Sequence, residues 1–187
     1  MCDWVGVGVI RVQPSTEAFP VRRVVGLEEV PGGLWRFMPR ARVLPPPEPG
    51  TVRVLAVRGS FVAEDGRSGF PRGLVMAAHS VSFVDIAART LELVVELPPT
   101  QGREPFKATI GFRCRVRNPA GVAEAHMTDL FPELEGYLAG LRRLRWFAER
   151  STVEDHALVQ RYAIDHINLH PPAIRDIRVD LAYLHIG

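Results

Sequence analysis

The 187-residue sequence holds only two cysteines, Cys2 and Cys114, and a single lysine, Lys107. Two thiols cannot build a disulfide framework or a thiolate metal centre, so both are expected free, in a reducing compartment. No run of about 18 uncharged apolar residues occurs, so the sequence offers no transmembrane segment. The opening MCDWVGVGVIRV has an early aspartate and neither a basic leader nor a small-residue cleavage site, so it does not read as a signal peptide. The chain is expected in the cytoplasm, with any membrane association peripheral, at the inner face and through partners. Charge of one sign is also lacking: 23 Lys and Arg stand against 21 Asp and Glu, a net of +2. No broad basic field marks a nucleic-acid protein.

Several chemical signatures are missing too. The VGVG at residues 5–8 has no third glycine opening a helix, so it is not a dinucleotide fingerprint. Ser60, Ser68, Ser80 and Ser82 sit in no G-x-S-x-G elbow, and no H-E-x-x-H is present. His79 and Asp85 can be drawn as a dyad, but nothing in a six-residue separation brings them together. Cys114 is expected inside a strand, where a thiol is inert.

What is present is a change of period. Residues 90–119 read as two long strands joined by a Pro- and Gly-containing connection. Leu91, Leu93 and Val95 alternate with Glu92, Val94 and Glu96; on the return, Phe106, Ala108, Ile110, Phe112 and Cys114 alternate with Lys107, Thr109, Gly111, Arg113 and Arg115. Pro119 ends the pair, and the apolar spacing then shifts from two to about 3.6. Upstream, strands are expected over residues 4–13, 21–27, 51–62, 75–77 and 81–86, with turns at Gly59 and at Asp65 and Gly66. Pro45 to Pro49 make a stiff connector, dividing an N-terminal extension or small subdomain (residues 1–50) from a main module (51–187).

Downstream, Val122, Ala125, His126 and Leu130 fit one face of a short helix. Leu134, Tyr137, Leu138, Leu141, Leu144 and Ala148 make the apolar stripe of a second, with Arg142, Arg143 and Arg145 near its C-terminal end. Ser151 and Glu154 suggest a capping box for a third helix, which stops before Pro171 and Pro172. Residues 174–186 then give a closing strand. The expected class is α+β: a mostly antiparallel sheet or partial barrel, packed against two or three C-terminal helices and closed by a final strand.

From about Val52 to Ile186 the chain resembles the SPFH family, also called band 7 or the prohibitin homology domain. The likeness rests on the corner Phe70-Pro71-Arg72-Gly73-Leu74, the strand end Phe112 to Val116 followed by Arg117-Asn118-Pro119, the basic leucine-striped helix, and the run Ala173 to Val179 after the last helix. The resemblance implies a non-enzymatic scaffold or protein-interaction module that self-associates laterally. It implies neither catalytic residues nor a cofactor. The expected partners are copies of the chain or another protein, with Arg142, Arg143 and Arg145 meeting acidic residues such as Glu28, Glu29 or Asp65. The alternative is a small enzyme, metal-dependent in its sharpest form, with its site near His156, His166 and His170. The i, i+4 spacing of the last two would let a helix present both to one ion. A further option, Arg142, Arg143 and Arg145 with Trp146 and Phe147 as a stacking surface, is weighed down by Glu133, Glu135 and Glu149 nearby.

Overall fold

The computed structural model describes residues 9–11, 19–27, 44–66, 68–97, 106–151 and 155–187. Among these, eight strands form two four-stranded antiparallel sheets, and neither closes into a barrel. The first sheet has the order β1-β6-β7-β8, from Val9–Arg11, Arg89–Leu97, Phe106–Val116 and Ile177–Ile186. The second runs β2-β5-β3-β4, from Val21–Gly26, Ser80–Asp85, Thr51–Val57 and Ser60–Ala63.

The β6–β7 hairpin pairs Leu91 with Phe112, Leu93 with Ile110 and Val95 with Ala108, so the alternating apolar set lies on one face. That face is buried, and Phe112, Leu93 and Cys114 are inaccessible to solvent. Helices α3 (Phe131–Ala139), α4 (Arg142–Ala148) and α5 (His156–Leu169) supply its cover through Leu134, Leu138, Leu144, Val159, Ala163 and Ile167. Strand β8 adds Ile177, Val179, Leu184 and Ile186 to the same core.

The two middle strands of the second sheet, β3 and β5, are buried on both sides. Helix α2 (Pro119–Glu124) packs against one face, and Val21, Val54 and Val84 there join the core of the first sheet. On the other face Leu55, Val57, Val81 and Phe83 pack with Leu44, Phe70, Leu74 and Val75. A strand covered twice needs no polar face, which is why β3 and β5 read as nearly continuous apolar runs. The β3–β4 hairpin turns on Arg58 and Gly59, with φ of 49° and 80°. Two successive positive φ values are what a tight type I′ turn demands.

Three expectations are corrected. Residues 75–77 are not a strand but the end of helix α1 (Arg72–Ala77), whose first turn closes on the Pro71 carbonyl. The apolar run there is too short for its period to show, and packing of Leu74 and Val75 under the second sheet decides it. The first downstream helix is shorter than its apolar pattern, since α2 ends at Glu124 and His126 takes a φ of 49°. The striped helix is two helices, interrupted where the Gly140 N–H donates to the carbonyls of Gly136 and Tyr137 at 3.1 and 3.0 Å. Glycines four apart lower helix propensity while the stripe continues across the break. The Ser151 hydroxyl donates to the Phe147 carbonyl at 2.9 Å at the end of α4, and its proposed capping partner falls outside the described residues. Glu154 lies outside the described residues, as do residues 1–8, 12–18 and 28–43.

Gly111 on β7 shows why a strand interior carries a glycine. The Tyr183 ring of β8 lies across it, so a Cβ at 111 would fall inside van der Waals contact with Tyr183 Cζ and Cδ1. Gly111→Ala should therefore cost about 1–3 kcal/mol. In a Tyr183→Ala background the same change should cost less than about 1 kcal/mol, because the obstruction is gone. Urea unfolding of the four-member cycle reads this coupling.

Candidate interaction surface

The first sheet has one face under helices and one turned to solvent. On the outer face stand Thr90 and Glu92 of β6, Lys107, Thr109, Arg113 and Arg115 of β7, and Arg178, Asp180, Tyr183 and His185 of β8. The Tyr183 hydroxyl donates to the Glu92 carboxylate, reaching over β7. That bond raises the phenol above its usual pKa. Lower on the sheet, Arg115 faces Arg178 directly and Arg113 faces Asp180. Like charges opposed across a ladder repel. Arg178 accordingly turns along its own strand, where its Nε donates to both Asp180 oxygens at 3.1 and 2.7 Å.

The second exposed surface belongs to α4 and α5. Arg142 and Arg143 are exposed on α4; the Arg145 side chain lies outside the described residues. Trp146 is 56% exposed, with the Arg150 guanidinium 4.0 Å from its ring centroid. Phe147 stacks on Tyr162 at 4.6 Å, Tyr162 on His166 at 6.0 Å, and His166 meets His170 edge-on at 5.1 Å. The His170 carbonyl accepts the Tyr137 hydroxyl at 2.6 Å, and burial pushes that phenol up to about 12. Partial burial, then His170 and Arg143, lower the His166 pKa, which favours the neutral ring in this stack. The proposed acidic counterparts Glu28 and Glu29 lie outside the described residues; Asp65 is exposed and takes the Ser68 hydroxyl at 3.3 Å.

The histidine trio does not assemble. His166 and His170 are adjacent, but His156 is ten residues back on α5, about 15 Å along the axis. Among the described residues no group of three His, Cys, Asp or Glu side chains could hold a metal ion. His79 and Asp85 flank opposite ends of β5, and Asp85 is engaged elsewhere. Its carboxylate, only 1% exposed, accepts from Arg22 Nε and NH2 at 3.2 and 2.7 Å, Arg89 Nε at 2.9 Å and the Ala87 N–H at 2.9 Å. Arg53 is similarly tied, to Glu64 through two bonds and to the Pro45 carbonyl at 3.0 Å. The Cys114 thiol is buried in the sheet core and pushed up to about 12 by burial and then by Asp180, so it stays protonated. Between sheet and helices a cavity of about 20 Å³ is lined by Val95, Ala108, Leu138 and Ala163 among others. It is apolar and hardly larger than a water.

Comparison of the chain with family models, with curated proteins and with solved structures gives no significant match. Among the described residues no helix is long and apolar enough to cross a membrane. The surface residues that stand out, Arg178, Asp180, Tyr183 and Glu92, were not singled out as a group from sequence. Alternation places each on the outer face, but only the β7–β8 register sets Arg178 against Arg115 and Tyr183 over Gly111.

Proposed function

We propose that the chain is a non-enzymatic scaffold or protein-interaction module of SPFH-like form, which self-associates laterally and reaches membranes only through partners. The observation that carries this reading is the division of labour among its polar groups. Enclosed ones pair off, buried Asp85 with Arg22 and Arg89 and half-buried Arg53 with Glu64, holding strands together. Exposed ones gather on an uncovered sheet face and on the arginine-bearing flank of α4. Leu158 and Leu169 of α5 and Trp146 of α4 are exposed apolar groups on the helical side, 56%, 74% and 56% accessible. Such scattered apolar groups among charges suit weak lateral contacts, which repetition multiplies.

Sedimentation across a concentration series tests the reading. The protein should sediment above its monomer mass at high micromolar concentration. R142E/R143E/R145E should weaken this association roughly tenfold at low salt, with the difference closing at high salt as the charges are screened. Circular dichroism checks that the variant is folded. A strictly monomeric wild-type protein, with no partner recovered, would overturn the proposal.

A further inference from the structure

We infer that the free edge of β8 is a pairing edge for a second copy of the chain, the two β8 strands running antiparallel about Val179. The inference rests on the self-association reading and names the surface that performs it.

Strand β8 is the last of its sheet and, at ten residues, the longest outer strand among those described. Its ladder shows which backbone groups β7 leaves over, among the described residues. Lys107 and Gly187 exchange both backbone bonds, at 3.2 and 3.0 Å. One residue earlier the Ile186 N–H turns off the sheet, where Gln160 Oε1 of α5 accepts it at 3.3 Å. At the other end Arg117 N–H donates to the Asp176 carbonyl at 2.8 Å. Alternation from that bond sends the amides and carbonyls of Ile177, Val179 and Leu181 outward, up to the irregularity opposite Gly111 and Phe112. The Ile177 N–H is taken by the Ile174 carbonyl at 3.3 Å, which leaves the Ile177 carbonyl and both groups of Val179 and Leu181. Edge strands are ordinarily blunted by shortness, proline, a covering element or inward charges. Residues 177–181 have no proline, and their core-side residues Ile177, Val179 and Leu181 are all apolar.

Charge settles the occupant and the register. Only pairings between outward-facing residues close hydrogen-bonded rungs. Centring on Val179 gives three: 179 with itself through two bonds, and 177 with 181 on either side, each through the Leu181 N–H and the Ile177 carbonyl. The intervening rungs then set Arg178 of each copy against Asp180 of the other. These are non-hydrogen-bonded rungs, where facing side chains approach most closely. The sequence is thus complementary to itself about this one residue. Arg178 meets Asp180 through Nε alone, so its terminal nitrogens remain to bridge the second carboxylate. Arg115 beside it on β7 adds repulsion that a further carboxylate offsets. A two-fold axis normal to the sheet also brings the two α5 helices together on the same side. The flank they would share begins at an open groove of about 380 Å³, lined by Ala157, Gln160, Arg161, Ile164 and His185 among others.

Sedimentation of the full chain as wild type, D180R, R178D and R178D/D180R tests the charge pairing. Both side chains are half exposed, so folding should be unaffected. Each single reversal sets like charges against each other and should weaken dimerisation by roughly tenfold or more. The double swap restores complementarity and should recover the wild-type constant. Register is read separately, by oxidising a mixture of R178C and D180C chains in a Cys2→Ser background. The mixture should form a disulfide dimer. Neither protein should do so alone, because identical positions are diagonal neighbours roughly 7–8 Å apart, beyond disulfide reach. If all four charge variants associate equally and the mixture does not cross-link, the β8 edge is excluded and self-association through another surface stands. If the wild type is monomeric throughout, both readings fall. Binding of an extended peptide to β8 of such a monomer would replace the second copy as occupant.

Discussion

Asp85→Asn will destabilise the protein by about 3 kcal/mol, and Asp85→Ala by about 3–5 kcal/mol, as urea unfolding near neutral pH will show. Asp85 ends β5 with its carboxylate almost fully enclosed, and it accepts from two guanidiniums and a backbone N–H. Removing its charge takes from Arg22 and Arg89 the carboxylate they share at the end of the sheet. Arg22 is 18% and Arg89 39% accessible, so water softens the loss and sets the asparagine variant at the lower end. Asparagine can still accept the Ala87 N–H; alanine cannot. The same group gives a pH signature. Burial alone would raise its pKa, but bonds from Arg22, Arg89 and Ala87 outweigh this and bring it below the usual aspartate value. A carboxylate with a depressed folded pKa contributes its full stability above the unfolded value of about 3.9. That contribution disappears as pH falls through the lower, folded value. Wild-type stability should therefore decline between about pH 5 and 2 more steeply than that of Asp85→Asn. Parallel acid limbs for the two proteins would contradict this assignment.

Asp85 also marks where the sequence stops being legible. Its apolar strand Val81 to Val84 could be read directly, and so could the β6–β7 hairpin, because alternation over nine and eleven residues leaves one register that hides Leu93, Ile110 and Phe112 together. A lone aspartate after an apolar run, with an arginine four residues on, was a local hint of its role. Arg22 arrives from 63 residues away, and only pairing of β2 with β5 brings it there. The failures were local as well. Leu74 and Val75 carry no period long enough to distinguish a helical turn from a strand, so their packing under the second sheet decides. The stripe from Leu134 to Ala148 concealed its own interruption, since residues on both sides of Gly140 face the same core. The Arg178–Asp180 strip shows the same limit on the surface: each residue's face follows from parity, its neighbour only from register.

Phe112→Ala should lower the unfolding free energy by about 3–5 kcal/mol, and the whole described structure should lose stability together. Phe112 is inaccessible to solvent, stands between Leu91 and Leu181 on the neighbouring strands, and meets the Tyr137 ring edge-on at 6.2 Å. Truncation removes apolar burial and leaves a void that sheet and helix backbones cannot close. The core around it does not end at the first sheet. It continues through Val122, Ala123, Leu130 and Phe131 to Phe19, Val21, Val54 and Val84 of the second. Backbone bonds cross the same seam: Val21 N–H donates to the Met127 carbonyl at 3.1 Å. Phe83, in contrast, lies in the smaller cluster on the far face of the second sheet. Phe83→Ala should cost a similar amount, and both variants should show one transition at the same midpoint by far-ultraviolet dichroism and tryptophan fluorescence. Hydrogen exchange supplies the sharper readout. In Phe112→Ala, amides of β3 and β5 should lose protection by the same free energy as those of β6 and β7. If β3 and β5 instead keep wild-type protection, the two sheets unfold separately and the continuous core does not couple them.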